Sequence, residues 1–203
     1  MLRRLLEENL RLTRELRELQ RLRGLAERDE LTGLPNRRLW ADRLTEELSR
    51  SRRVRGRAGS LLIVDMNDLK GLNDRFGRAV GDLALRETAR VLRGALRAPD
   101  VCCRTGGDEF MILLPETDAA GARLVTTRLR SAVMRAGGRR DLPLSISVGA
   151  ASWPKDGAEP APLIAAADRA MDLEKQRQAR RGFPDPGRDA AAGPRTVALA
   201  LVK

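Results

Sequence analysis

The sequence contains no histidine and no tyrosine among its 203 residues, and only three phenylalanines and two tryptophans. Without His, catalysis by Ser–His–Asp or Cys–His groups, a His general base and His metal ligands are all excluded. Acid–base and metal chemistry must therefore rest on Asp, Glu, Lys or backbone groups. The scarcity of aromatic residues predicts a core built from Leu, Val, Ile and Ala.

Cysteine is also scarce, since Cys102 and Cys103 are the only two. Neighbouring cysteines rarely meet the geometry of a disulfide, and these two lie in an apolar run, so we expect small, buried side chains. A reduced, cytoplasmic protein is the corresponding prediction. The sequence has no apolar run of about 18 residues that would span a membrane. The Leu residues of the N-terminus are interleaved with Arg and Glu, and the segment lacks the apolar core of a signal peptide.

Basic residues are in excess, with 35 arginines and four lysines against 28 acidic residues and a formal net charge of +11. This balance favours anionic partners such as nucleotides, nucleic acids or acidic lipids, without choosing among them. The alternative is an Arg-biased composition spread over solvated faces.

Residues 1–28 form a charged, Leu-rich stretch without proline. Leu5, Leu12, Leu19 and Ala26 repeat every seven residues, and Leu16 occupies the intermediate position. This spacing predicts a helix that forms a short parallel coiled coil. A helix packed on its own domain is the alternative.

Over the remaining residues, the sequence pattern predicts strands that are joined both by a hairpin and by helical crossovers. The pattern indicates helices over 37–50, 69–76, 82–96, 118–136 and 160–180, and strands over 61–64, 101–104, 110–114 and 144–151. We therefore predict an α/β (α+β) fold with a mixed, mainly antiparallel central sheet flanked by helices. Residues 183–194 are expected to form a loop, and residues 196–202 a possible final strand.

Two acidic positions carry the candidate chemistry. Asp65 ends a buried apolar strand, and Gly106-Gly107-Asp108-Glu109 occupies a hairpin tip. Each alone is as consistent with an ordinary loop or turn. If the strand lies beside the hairpin, however, the two Asp carboxylates approach and repel unless a cation lies between them. Mg²⁺ prefers such oxygen ligands and can organise phosphoryl transfer, whereas the P-loop pattern is absent.

The segment from Arg104 to Phe110 resembles the signature of the GGDEF domain, the catalytic domain of bacterial diguanylate cyclases. Further segments resemble other motifs of that family, in order and at similar spacing: 29–37, 65–70, 73–74, 81–82, 145–149 and 167–171. The resemblance covers residues 29 to about 180. It implies a palm-like nucleotide-cyclase sheet, a cyclase domain over 29–182, a signalling helix over 1–28 and a C-terminal segment over 183–203.

The resemblance also implies an activity: a homodimer that condenses two GTP into cyclic di-GMP, with Mg²⁺ or Mn²⁺ as cofactor. It assigns metal binding to Asp65, the Met66 carbonyl, Asp108 and Glu109, with Asp108 and Glu109 also catalytic. It assigns guanine reading to Asn73 and Asp82. The remaining substrate contacts implied by the resemblance are Asp68, Leu69, Lys70, Gly106, Gly107 and Lys175.

Arg97-Ala98-Pro99-Asp100 resembles the Arg-x-x-Asp product-inhibition site of the family, and Arg128 resembles its secondary contact. Several positions depart from the family pattern. Asn67 replaces a frequent Asp, Leu69 a Phe, and Asp172 an aromatic residue, while Arg78 stands where Gly-His is usual. Gln176–Arg180 replaces the usual Gly-Arg-Asn after Lys175, which puts one phosphate contact in question.

Two other functions are each favoured by part of the sequence. A catalytically weak domain that binds GTP or cyclic di-GMP as a regulator is favoured by Arg78 and the altered last helix, and disfavoured by the intact Asp108 and Glu109. A basic coiled-coil nucleic-acid binder is favoured by the net charge. The Glu residues interspersed in the first helix suit self-pairing better, so we predict no nucleic-acid partner.

Overall fold

The computed structural model of this chain describes residues 4, 8–15, 27–54 and 57–180, except for the side chains of residues 179 and 180. Residues 8–15 are helical. Within residues 27–180 the elements follow in this order: α1 (Arg37–Arg53), β1 (Gly59–Met66), α2 (Leu69–Phe76), α3 (Arg78–Gly94), β2 (Val101–Gly106), β3 (Glu109–Pro115), α4 (Ala119–Arg139), β4 (Ile146–Trp153) and α5 (Pro160–Arg180).

The four strands form one sheet in the order β2-β3-β1-β4. All three ladders are antiparallel, and β1 lies between β3 and β4. At the end of β1, Asp65 is opposite Glu109 on one side and Ser147 on the other. The topology thus brings the β1 terminus, the β2–β3 hairpin and the start of β4 to one edge of the molecule.

Successive side chains of β1 point to opposite faces of the sheet and enter two separate cores. Leu62 and Val64 join the larger core, which is closed by α2, α3 and α4. Leu61 and Ile63 join the second core, which is closed by α1 and α5. The same alternation places Asp65 on the second face, below the C-terminal half of α5.

Polar side chains fix where three of the helices begin. The Asn36 side chain accepts hydrogen bonds from the backbone N–H groups of the first turn of α1, and Asp118 does the same for α4. Asp68 caps α2 by accepting from the Gly71 N–H at 3.1 Å, with φ of 53°. Asp68 therefore contributes a structural hydrogen bond beside its predicted contact with substrate.

The predicted fold class is confirmed, with differences at the element boundaries. Within the described residues, parallel pairing is confined to an isolated bridge between Asn36 and Arg104. β1 begins at Gly59, two residues before the predicted start of the strand at residue 61. α3 begins at Arg78 rather than at Asp82, because Gly77, with φ of 85°, ends α2 and starts the next helix directly.

Cys102 and Cys103 are free and buried, as predicted. In the part of the chain that the structure describes, no helix is both long and apolar enough to cross a membrane. Leu5, Leu16, Leu19 and Ala26 lie outside the described residues, so the coiled coil stays a prediction. The predicted loop over 183–194 and the strand over 196–202 also lie outside them.

Candidate active site

Asp65 and Asp108 are neighbours at the junction of β1 and the β2–β3 hairpin. The Met66 N–H donates to the Asp108 carbonyl at 3.0 Å, which extends the β1–β3 pairing into the hairpin tip. The Asp65 side chain is only 13% exposed. Burial raises the pKa of Asp65 above its usual value, and the negative charge of Asp108 raises it further. The predicted proximity of the two carboxylates is therefore present.

Lys175 reaches this pair from α5, with its Nζ 2.9 Å from Asp65 Oδ2. Its positive charge partly offsets the rise in the Asp65 pKa. The approach depends on Gly149 in β4, where a Cβ would lie 2.7 Å from Met171 Cβ and closer still to the α5 backbone at Ala167 and Met171. The 145–149 and 167–171 motifs thus meet each other, and Lys175 follows Met171 by one helical turn.

The hairpin tip is open on its outer side. Gly106 and Gly107 have φ of 146° and 52°, and a Cβ at either position would meet nothing within 4 Å. The positive φ values explain the glycines, since L-residues rarely adopt them. Glu109, the first residue of β3, is exposed. The glycine backbone and the Glu109 carboxylate are therefore available to a ligand beside Asp108.

Arg104 locks the hairpin to the segment that follows the N-terminal helix. Its guanidinium donates to both carboxylate oxygens of Asp29 at 3.2 Å and to the Gly107 carbonyl at 2.6 Å. The backbone N–H of Arg104 donates to the Pro35 carbonyl at 3.0 Å. The Asp29 pKa is lowered: burial alone would raise it, but hydrogen bonds from Thr32 and Arg104 outweigh that effect. Sequence reasoning missed this contact, because no local pattern pairs residues so far apart along the chain.

The predicted guanine-reading residues lie together across the α2–α3 junction. A Cβ at Gly81 would collide with Asn73 Oδ1, so the glycine makes room for this amide directly beside Asp82. Asn73 and Asp82 are half-buried, while Lys70 and Arg78 are exposed. Asn73 therefore lies against the residue that precedes Asp82.

Asn67 does not join the carboxylate pair. Its amide contacts Ser145 Oγ at 3.0 Å, Ser147 Oγ at 2.8 Å and Gln178 Oε1 at 3.4 Å. The two departures from the family pattern, at Asn67 and after Lys175, are thus in contact with each other.

The predicted product-inhibition residues lie away from the hairpin tip. Arg97 donates to Asp100 and, at 2.8 Å, to Thr117 Oγ1, and the Asp100 side chain is fully buried. Arg97 lines two cavities, of about 430 and 420 Å³. Arg128 is exposed on α4 and, in the described part of the chain, lines neither cavity.

The donor set at the hairpin fits a cation that takes only some of its ligands from protein. Among residues 27–54 and 57–180, no three Cys, Asp or Glu side chains gather into a metal-binding group. The Asp65 and Asp108 carboxylates form an acidic pair that a divalent cation would neutralise, and Glu109 lies opposite Asp65 in the sheet. Mg²⁺ commonly completes such a set with water and substrate phosphates.

Residues 26–181 match the family described as diguanylate cyclase, GGDEF domain. The chain is 37% identical over 152 residues to the response regulator PleD of Caulobacter vibrioides, an alignment that covers 72% of this chain and 33% of PleD. It is 36% identical over 159 residues to the diguanylate cyclase TpbB of Pseudomonas aeruginosa, covering 76% and 36%. The chain therefore spans about a third of the length of these relatives.

Solved structures agree with this assignment. The GGDEF domain of Pseudomonas aeruginosa TpbB superposes with a TM-score of 0.69 at 34% identity, covering 74% of this chain and 89% of that one. The GGDEF domain of DgcB from Caulobacter crescentus, in complex with c-di-GMP, superposes with a TM-score of 0.65 at 26% identity, covering 75% and 91%. The chain belongs to the GGDEF-domain family of diguanylate cyclases.

Proposed function

We propose that this chain is a diguanylate cyclase domain that condenses two GTP molecules into cyclic di-GMP and two pyrophosphates. The observation that carries the proposal is the pair of carboxylates, Asp65 and Asp108, that meets Lys175 at an open glycine hairpin. Family membership and the activity named for TpbB support it.

Asp65, Asp108, Glu109 and the Met66 carbonyl would hold Mg²⁺ or Mn²⁺. The bound ion supplies neutralisation of phosphate charge and polarisation of the phosphoryl group. Asp108, assisted by Glu109, takes the proton from the ribose 3′-hydroxyl that attacks the α-phosphate of the facing nucleotide. Pyrophosphate leaves from that phosphate.

The other predicted residues hold and orient the nucleotide. Asn73 and Asp82 read the guanine edge, which suits an amide beside a carboxylate. The triphosphate is held by Lys175, Lys70 and the backbone N–H groups of Asp68 and Leu69 at the start of α2. The open backbone of Gly106 and Gly107 lets the nucleotide approach the hairpin without a side-chain clash.

A homodimer follows from the chemistry, because two phosphodiester bonds form between two facing nucleotides. The predicted coiled coil through Leu5, Leu12, Leu16 and Leu19 would raise the local concentration of one domain near the other. Activity per mole should then fall on dilution. A chain beginning near Arg28 should lose activity at higher concentrations than the full chain does, measured beside sedimentation. Equal dimerisation and equal activity of the two chains would contradict this role for the helix.

Product inhibition is proposed at Arg97 and Asp100, with Arg128 as a further contact. The Arg97 side chain is 54% exposed and lines two cavities large enough for a nucleotide. Cyclic di-GMP should inhibit the parent, and Arg97→Ala should weaken that inhibition. Equal inhibition of both proteins, or none of the parent, would rule the site out.

The test of the proposal is product formation from GTP with Mg²⁺, followed chromatographically. Asp65→Asn and Asp108→Asn should each lower turnover by about 10²-fold or more. Asp42→Asn, at an exposed position of α1, is the matched control and should leave turnover unchanged. Near-parental activity of either active-site variant would show that the site is misassigned. Binding of GTP or cyclic di-GMP by a parent that makes no product would favour the regulatory alternative.

A further inference from the structure

A polar cluster ties the end of α5 to the sheet. Its members are Asn67 after β1, Ser147 in β4, Gln178 and Glu174 in α5, and Arg130 in α4; we call it the α5 clamp. The fully buried Ser147 hydroxyl lies 2.8 Å from Asn67 Oδ1 and 3.1 Å from Gln178 Oε1. Gln178 Nε2 donates to Glu174 Oε1 at 3.0 Å. These contacts join the residue after β1, the strand β4 and two residues one turn apart in α5.

A second contact holds the same turns from the side of α4. Arg130 Nη2 lies 3.2 Å from Glu174 Oε1 and 3.3 Å from the Val148 carbonyl. Glu174 is 23% exposed, so water screens this ion pair only in part. Residues 174 to 178 are therefore fixed at both ends of one helical turn.

The apolar packing of α5 ends before this point. Leu163, Ala167 and Met171 are its buried apolar residues, and none follows Met171 in the described part of the helix. The position of the last turns consequently depends on polar contacts. Lys175 lies within them and is 42% exposed, so its own surroundings do not fix its long side chain.

We propose that Asn67 and Gln178 are positioning residues that hold α5 so that Lys175 reaches Asp65. The inference rests on the proposed function in one respect, namely that Lys175 contacts the substrate phosphates. Asn67 thereby acts on the site through α5 rather than as a metal ligand. Gln178 lies in the stretch where the family usually has Gly-Arg-Asn.

The first test is a double-mutant cycle on nucleotide affinity. The probe is a GTP analogue with a methylene group in place of the α–β bridging oxygen, titrated with Mg²⁺ present. Gln178→Ala, Asn67→Ala and Lys175→Ala should each weaken binding by about tenfold. In the Lys175→Ala background, Gln178→Ala should add less than about twofold, because its effect passes through the lysine. An undiminished effect in that background would overturn the proposal.

Two variants separate positioning from general structure. Gln176→Ala removes an exposed glutamine from the same helix and should leave affinity and melting temperature unchanged. Asn67→Asp keeps an acceptor for the Ser147 hydroxyl but replaces the donor that faces Gln178 Oε1 by a second acceptor, so affinity should fall about as much as in Asn67→Ala. Parental affinity of Asn67→Asp would contradict the clamp.

The second test needs no nucleotide and therefore survives a failure of the proposed function. The chain has only four lysines, so acylation of each amine can be followed by peptide mass spectrometry. In the parent, Lys175 is paired with Asp65 and should react more slowly than Lys155. In Gln178→Ala, Lys175 should react several-fold faster than it does in the parent. Unchanged reactivity of Lys175 in a folded Gln178→Ala protein would refute the positioning role. A parent that binds no analogue would refute the proposed function alone.

Discussion

The close approach of α5 to β4 at Gly149 leads to a prediction that joins stability to the site. In Gly149→Ala, the new Cβ would lie 2.7 Å from Met171 Cβ, whereas ordinary contact begins at 3.4 Å. It would lie closer still to the Ala167 carbonyl and the Met171 nitrogen. These are backbone atoms of a helix, so no change of rotamer relieves the overlap, and α5 must retreat by roughly 0.7 Å or more.

The expected cost is that of overpacking, about 1–3 kcal/mol, or a fall in melting temperature of about 2–12 °C. Lys175 follows Met171 by one turn, so the same retreat lengthens its 2.9 Å contact with Asp65. Misplacement of a positioning group by about 1 Å can cost up to about 100-fold in rate. We therefore expect GTP turnover to fall by up to about 100-fold in a protein that stays folded.

The assay is thermal and urea unfolding beside product formation from GTP. The matched control is Gly138→Ala in α4, where a Cβ meets nothing within 4 Å. That variant should be unchanged or more stable by up to about 1 kcal/mol, as expected when Ala replaces Gly in a helix. A Gly149→Ala protein that melts with the parent and retains its turnover would refute the reasoning.

Three further predictions concern other parts of the molecule. Hydrogen bonds from its arginine partners lower the pKa of Glu87, so its stabilising charge is present above the ordinary value of 4.5 and is lost as pH falls through the lowered value. Glu87→Gln should thus be about 1–2 kcal/mol less stable at pH 7, a gap that closes in acid unfolding curves; a pH-independent gap would be contrary. In Arg104→Lys, the lysine cannot bind both oxygens of Asp29, so the free energy of unfolding should fall by about 1–2 kcal/mol and GTP turnover should also fall. Parental stability and turnover would contradict the role of Arg104 in holding the hairpin. Burial raises the pKa of Cys102 and Cys103, the latter to about 12, so a thiol reagent at pH 8 should label neither until the protein unfolds.

Local patterns were sufficient for most of the elements of this fold. The apolar run at 61–64, the Gly-Gly tip at 106–107 and the alternation over 144–151 indicated two strands and a hairpin, and the structure contains them. The predicted starts of β1 and α3 were wrong, because their observed starts at Gly59 and Arg78 depend on neighbours outside the local window. Gly59 pairs with both flanking strands, and Gly77 joins two helices without a loop.

Residue types and their spacing identify the groups that are capable of chemistry. The absence of His and the paired acids restrict the site to carboxylates, lysine and backbone, and the order and spacing of the motifs indicate one family. How these residues combine depends on the tertiary fold. Side chains distant along the chain, such as Arg104 with Asp29, or Asn67 with Gln178, meet because the sheet order and the packing of α5 bring them together. Such pairings depend on the positions of whole elements, which no local pattern specifies.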